Sequence, residues 1–174
     1  MPDTAETVIE AIRAAFAGVP RGAITIHEAE VIDSYGSEAE RDAARRLDTE
    51  PSWDRIPNAD IEECTTALCH LDPEGWRYYV PAYMTWSLRH FRVSLSNVSD
   101  YTIYTFDSSG SDPGMREYHL GRYRLLDEVQ SCAVCRFLQY MATNEAHADS
   151  WVANVALNEY WGQYCERQDA EPLS

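Results

Sequence analysis

Apolar residues recur at helical spacing through the first thirty-five residues of the chain, and a polar segment, EAERDAARRL, follows. Three helices are predicted in the first fifty residues, because each segment follows a residue able to cap a helix and has an acidic side chain in its first turn. The first covers residues 3–18. The next two open with the pairs Thr25 with Glu28 and Ser37 with Glu40, both spaced as capping boxes.

The second of these helices has one apolar side. Ala29, Val31, Ile32 and Tyr35 are predicted to pack inward before Gly36 ends the helix.

Two segments in the middle of the chain have the alternating pattern of β-strands. Residues 76–80 alternate, which predicts a strand with Tyr79 on its outward side and a new helix starting at Pro81. Residues 100–106 (DYTIYTF) predict a second strand, whereas the rest of residues 94–124 has no pattern that places it.

Apolar residues follow helical spacing again in three later segments. These are residues 60–70, the segment that Asp127 caps and the segment that begins near Ser150. The predicted fold is therefore mainly α (α+β), with about six helices and a small two-strand β element. We find no repeat or linker, so residues 1–167 are expected to form one domain and residues 168–174 a frayed tail.

The charge of the chain narrows the choice of partner. All 14 basic residues are arginine and the net charge is −15, with 17 acids against 6 arginines in residues 1–75. Such a surface disfavours nucleic acid and favours a basic protein partner or simple solubility. The crowded acids also predict mutual repulsion, so mild acid should at first stabilise the fold. The acidic opening and the absence of a long apolar run predict a cytoplasmic protein with no membrane span.

The five cysteines are expected to be reduced and mostly buried. A zinc site could combine Cys64, Cys69 and His70 with Cys132 and Cys135. However, the last pair falls within a strongly amphipathic helix, where cysteine more often fills the core. We therefore predict no metal, and no cofactor motif is present.

Charged and aromatic side chains supply the candidate site. The acids and arginines of residues 28–46 favour a solvated, ion-paired helix face over a catalytic pair, whereas tyrosine and arginine near residue 80 are typical of interfaces. The candidate binding residues are Glu30, Asp33, Glu40, Arg41, Arg77, Tyr79 and Tyr83.

Three segments carry a resemblance to a known family. They are AITIHEAEVIDSYGSEAERDAARRLDTEPSW, WRYYVPAYMTWSL and LLDEVQSCAVCRFLQYM, and the most specific part is the Tyr-x-Pro-Ala-Tyr-Met junction at residues 79–84. Together they resemble a small bacterial family known only as a domain of unknown function. The resemblance supports the extent of the fold and implies no activity.

Three hypotheses for function remain. The favoured one is an acidic binding module that docks a basic protein, in the manner of immunity proteins that neutralise toxins. The second is a small enzyme with a cleft between the amino-terminal helices and residues 76–84, using Glu30, Asp33 or Glu40 with Arg41 and Tyr83. The third is a structural or oligomeric subunit.

Overall fold

The computed structural model describes residues 3–110, 112–143 and 149–165, and its regular structure over those residues is entirely helical. The α-helices are α1 (Ala5–Ala15), α2 (Ile26–Asp33), α3 (Glu38–Arg45), α4 (Asn58–Glu63), α5 (Pro73–His90), α6 (Val98–Tyr104), α7 (Pro113–Tyr123), α8 (Glu128–Ala142) and α9 (Ser150–Glu159). Short 3-10 helices cover Trp53–Arg55, Ala67–Cys69 and Trp161–Tyr164.

Capping side chains set where several helices begin. Ser37 and Glu40 form the predicted capping box of α3, and Asp127 with Gln130 forms that of α8. Thr25 precedes α2, but its side chain makes no capping bond. The predicted capping box at Thr25 is therefore wrong in this respect.

Helix α5 is the centre of the molecule. Every residue from Gly75 to Leu88 except Arg77 is buried, and α1, α4, α6, α7 and α8 all pack against it. The predicted strand at residues 76–80 is therefore wrong. A helix buried on all sides has no polar side, so helical periodicity disappears from its sequence.

Pro81 lies inside this helix and does not begin a new one. Because proline has no N–H, the carbonyl of Arg77 loses its usual helical donor at this point.

The second predicted strand is also wrong. Residues 98–104 form α6, with Val98, Thr102 and Ile103 buried on one side. The next helix, α7, was not placed by its sequence pattern. It begins where Asp112 accepts hydrogen bonds from the backbone of Gly114 and Met115, with proline at its first position.

A cluster of aromatic rings holds the carboxy-terminal helices to α5. The Trp76 and Trp161 rings both contact Phe106, with ring centroids 5.9 Å and 5.4 Å apart. The indole N–H of Trp76 donates to Thr105 Oγ1, and that of Trp161 donates to the carbonyl of Phe106. The chain just after α6 is thus fixed by both packing and hydrogen bonds.

One expectation about the cysteines is wrong. Cys135 of α8 is joined to Cys165 by a disulfide, with the two Cα atoms 5.6 Å apart. The bond ties the last 3-10 helix to α8. The other three cysteines form no disulfide; Cys64 and Cys132 are buried and Cys69 is exposed.

The buried apolar residues of the described ranges form one continuous core. No helix in these ranges is long and apolar enough to cross a membrane. The expected tail at residues 168–174 lies outside the described residues.

Candidate functional site

The residues that sequence reasoning placed at the candidate site do not come together. Tyr79 and Tyr83 are both completely buried in α5, so Tyr79 does not face outward as predicted. Arg77 lies on the side of α5 that meets α8, where its Nε donates to Gln130 Oε1 at 3.1 Å. These three residues therefore belong to the interior and to a helix contact.

The strongest electrostatic cluster is centred on Glu28, which is buried. Arg45 reaches both carboxylate oxygens of Glu28, at 2.6 Å and 2.8 Å, and Arg41 donates to one of them at 2.9 Å. The Arg45 hydrogen bonds, helped by those of Arg41, hold the pKa of Glu28 below its usual value. A carboxylate held by two arginines is a structural anion that joins α2 to α3, and it is poorly suited to accept a proton.

A second polar cluster joins the loops on either side of α2 and α3. Asp48 is buried and accepts from the backbone N–H of His27, while its other oxygen lies 2.7 Å from Nδ1 of the same residue. Arg21 binds the Glu50 carboxylate at 2.9 Å and donates to the backbone carbonyls of Asp48 and Glu50. These bonds hold the segment that follows α3, at Asp48 and Glu50, against Arg21 and His27.

The predicted acids on α2 also have specific partners. Glu30 accepts from the backbone N–H of Thr66 at 3.1 Å and from the hydroxyl of Thr66 at 3.0 Å. Asp33 lies 3.1 Å from Nε2 of His70. Both contacts fasten α2 to the segment around the 3-10 helix Ala67–Cys69.

One surface depression does contain two predicted site residues. Glu30 and Glu40 line a volume of about 370 Å³ together with Val31, Ser34 and Gly36. Arg41 and Tyr83 do not line it, so the cleft that the enzyme hypothesis needed does not form. The Glu40 carboxylate is also engaged, because it accepts from Ser37 and completes the capping box of α3.

The most exposed aromatic residue of this region is Tyr35, between α2 and α3. Sequence reasoning placed it inward, but its side chain is 97 % exposed. Its backbone has φ +56°, the only positive value among the non-glycine residues that the structure describes. Asp33 lies two residues before it and Glu38 three residues after it, so this ring is displayed among acids.

The thiols and histidines form no recognisable metal centre. Within residues 3–110, 112–143 and 149–165, no three histidine, cysteine or acidic side chains converge as ligands. Cys135, which the zinc hypothesis required, is bonded to Cys165.

The comparisons with known proteins identify the family but no function. Residues 4–165 match the model of a family of unknown function, DUF6714. The chain belongs to that family. No curated protein matches the chain. No solved structure matches it either. The predicted resemblance to an uncharacterised family is thus confirmed, while the bacterial origin and the junction at residues 79–84 as its signature stay predictions.

The sequence contained one signal of the exposed tyrosine. Gly36 follows Tyr35 directly, and a glycine at a helix end usually takes the left-handed position itself. Here Tyr35, one position earlier, takes the left-handed conformation. Gly36 is required for a different reason, because a Cβ at this position would overlap Cγ1 of Val31.

Proposed function

We propose that this protein is a binding module that docks a basic protein partner through the turn between α2 and α3. The proposed contact face consists of Asp33, Tyr35, Glu38 and Glu40, all of which are exposed. Tyrosine at the centre supplies the apolar contact area, and the acids around it supply charge complementarity.

The observation that carries this proposal is the conformation of Tyr35. The N–H of Gly36 bonds to the carbonyl of Val31, and the N–H of Tyr35 bonds to that of Ile32. This is the Schellman arrangement, in which the left-handed position usually holds glycine because a Cβ there is unfavourable by about 1–2 kcal/mol. Tyr35 bears that strain and buries almost nothing in return. A residue that weakens the fold without packing is typical of a functional contact.

The surrounding charges support a basic partner. The arginines of α3 are engaged with acids, because Arg41 and Arg45 bind Glu28 and reach Glu38 and Asp42 respectively. The first 75 residues still carry an excess of 11 negative charges. An acidic face of this kind accelerates encounter with a basic protein, and added salt weakens the effect.

The test separates stability from binding at Tyr35. Tyr35→Gly relieves the left-handed strain, so we expect the free energy of unfolding to rise by about 0.5–1 kcal/mol. The same variant should lose the partner, because the apolar anchor is gone. Stability is measured by urea unfolding, and binding by capture from a lysate of the source organism at low and high salt with mass-spectrometric identification.

The matched control is Trp151→Gly, which removes another exposed aromatic side chain, 74 % accessible, from α9. Trp151 is the second residue of α9, so glycine there should lower the free energy of unfolding by no more than about 1 kcal/mol, and the variant should keep the partner. The proposal requires one basic protein that the wild type and Trp151→Gly capture at low salt and Tyr35→Gly does not. If no captured protein depends on Tyr35, the contact face is wrong.

A cytoplasmic location forms part of the proposal, since the immunity-like role requires an intracellular partner. The Cys135–Cys165 disulfide is the observation against it, because stable disulfides are uncommon in reducing compartments.

A further inference from the structure

A second concave site lies between α6, α7 and the 3-10 helix Ala67–Cys69. It encloses about 230 Å³, and its walls are mostly apolar, formed by the rings of Tyr101, Tyr104 and Tyr118 and by the side chain of Met115. Typical drug-sized sites are roughly 300–1,000 Å³, so this volume suits a molecule of about one ring.

The inner wall of this pocket is formed in part by Arg122, a guanidinium that is 1 % exposed. It donates to the carbonyls of Leu68 at 2.8 Å and Leu71 at 2.6 Å, and its head lies 4.1 Å from the ring centroid of Tyr118. No carboxylate of the described ranges forms an ion pair with it. Burial lowers the pKa of Arg122, but an arginine starts so high that it keeps its charge.

Two nitrogen atoms at this site have no hydrogen-bond partner. Nε of Arg122 is buried and donates to nothing, and Nδ1 of His119, one turn earlier on α7, is also buried without a partner. A buried N–H without an acceptor destabilises the fold. Both residues line the same pocket. The terminal nitrogens of Arg122 join α7 to the backbone carbonyls of residues 68–71. This structural role does not involve Nε, whose burial without a partner it leaves unexplained.

From this combination we infer that the pocket binds a small organic monoanion, a carboxylate attached to a single ring. The carboxylate accepts from Nε of Arg122 and supplies the counter-charge that the protein itself does not, while the ring packs among the tyrosines and Met115. One free N–H donor suits one carboxylate better than a phosphate dianion, which needs several donors. The net charge of −15 further disfavours a second negative charge.

The experiment uses 3-phenylpropionate as the probe and 3-phenylpropan-1-ol as its uncharged analogue. Each is titrated into the ¹⁵N-labelled full chain, and the ¹H–¹⁵Nε resonances of the arginines are followed by NMR. We expect the Arg122 resonance to shift saturably with the acid, and that of Arg136, which is paired with Asp3, to stay unchanged. The acid should bind at least about tenfold more tightly than the alcohol, since the analogue leaves the buried charge uncompensated.

Replacing Arg122 could unfold the protein, so a rim variant carries the second test. Met115 is half exposed, and Met115→Glu places a negative charge at the mouth without disturbing the core. The change also removes an apolar contact of the ring, so it should weaken binding of both probes, and that of the acid about tenfold more than that of the alcohol. Val129→Glu makes the same charge change at an exposed position on α8 and should alter neither.

Three outcomes would overturn the inference. The first is no saturable binding of 3-phenylpropionate at concentrations up to about 10 mM, which corresponds to less than about 3 kcal/mol of binding free energy. The second is binding in which the Arg122 Nε resonance does not move. The third is equal affinity for acid and alcohol, which would make the pocket an apolar groove with no use for the charge.

Discussion

Two tyrosines on α5, one turn apart, differ in a single hydrogen bond. Tyr83 Oη donates to the carbonyl of Cys64 at 2.6 Å, whereas Tyr79 Oη is buried and has no partner. Burial raises the pKa of both phenols, so neither ionises near neutral pH. Their hydroxyl groups therefore contribute to stability in opposite directions.

This difference predicts opposite effects of the same mutation. Tyr79→Phe removes an unsatisfied buried hydroxyl and should raise the free energy of unfolding by about 1 kcal/mol. Tyr83→Phe leaves the Cys64 carbonyl without its donor and should lower it by about 1–2 kcal/mol. Tyr79→Ala should lower it by about 3–5 kcal/mol, as for any buried aromatic residue. Urea unfolding of the three variants in parallel measures all of these. If Tyr79→Phe loses as much stability as Tyr83→Phe, the Tyr79 hydroxyl has a partner.

At the scale of elements, local signals were enough for helices that have a polar side and begin with a capping box. The sequence predicts where α3 and α8 begin because their caps are made by side chains within four residues of one another. It fails at α5, since that helix is surrounded by other helices and its apolar residues follow no period. It fails at α6 because aromatic and β-branched residues favour strands locally, and tertiary packing overrides that preference.

The candidate site shows the same limit. That acids and arginines meet within α3, as Asp42 and Arg45 do, could be predicted from helical spacing. The pairing of Arg45 with Glu28, which joins α3 to α2, could not. Tyr35 was placed inward because helical spacing was extended two residues beyond Asp33, into the Schellman turn. The Arg122 pocket depends on contacts between residues about fifty positions apart, and no local pattern predicts those.

Where α5 begins, two glycines allow a close crossing of chain segments. Residues 22–24 pass directly over the first turn of α5, and Asp72 accepts from the backbone N–H of Ile24 at 2.9 Å. A Cβ on Gly22 would overlap the backbone of Glu74 and Gly75. The crossing therefore requires glycine for space, and no positive φ is involved.

Gly22→Ala should accordingly lower the free energy of unfolding by about 1–3 kcal/mol, the usual effect of overpacking. Gly121→Ala is the matched control, because Gly121 lies in exposed helix α7 and a Cβ there would meet nothing within 4 Å. That change should raise the free energy of unfolding by about 0.5–1 kcal/mol. Thermal and urea unfolding of both variants test the pair. A neutral Gly22→Ala would mean that the crossing can widen.

At the scale of the whole molecule, several of the acidic side chains have specific hydrogen-bond partners. Hydrogen bonds from Arg136 lower the pKa of Asp3, those from Arg45 lower that of Glu28, and those from Ser37 lower that of Glu40. These shifts are opposite to the upward shifts that mutual repulsion predicts. Asp100 differs, since burial and the nearby Asp149 raise its pKa.

The expected dependence of stability on pH follows from these directions. Carboxyl groups with a lowered folded-state pKa contribute stability above their unfolded values of about 4, and the contribution is lost as pH falls through the folded values. His119 titrates at higher pH than the acids. Burial, with the charge of Arg122, lowers its pKa, although a hydrogen bond with the backbone of Thr105 and the charge of Asp107 oppose this. The unfolded chain therefore takes up the His119 proton first, from about pH 6.5 downward. Both effects make the unfolded state bind more protons than the folded state.

We therefore expect the free energy of unfolding to fall from about pH 7.5 to pH 5.5 and to fall more steeply below about pH 4.5, where the paired acids titrate. Urea unfolding at constant ionic strength across this range measures it, since urea is uncharged and does not screen the ion pairs. His119→Gln should flatten the upper part of the curve and leave the lower part, which depends on acids such as Glu28, unchanged. Stability that rises between about pH 7.5 and pH 5 would show that repulsion among the acids of residues 1–75 outweighs their partners, as the charge count alone suggests.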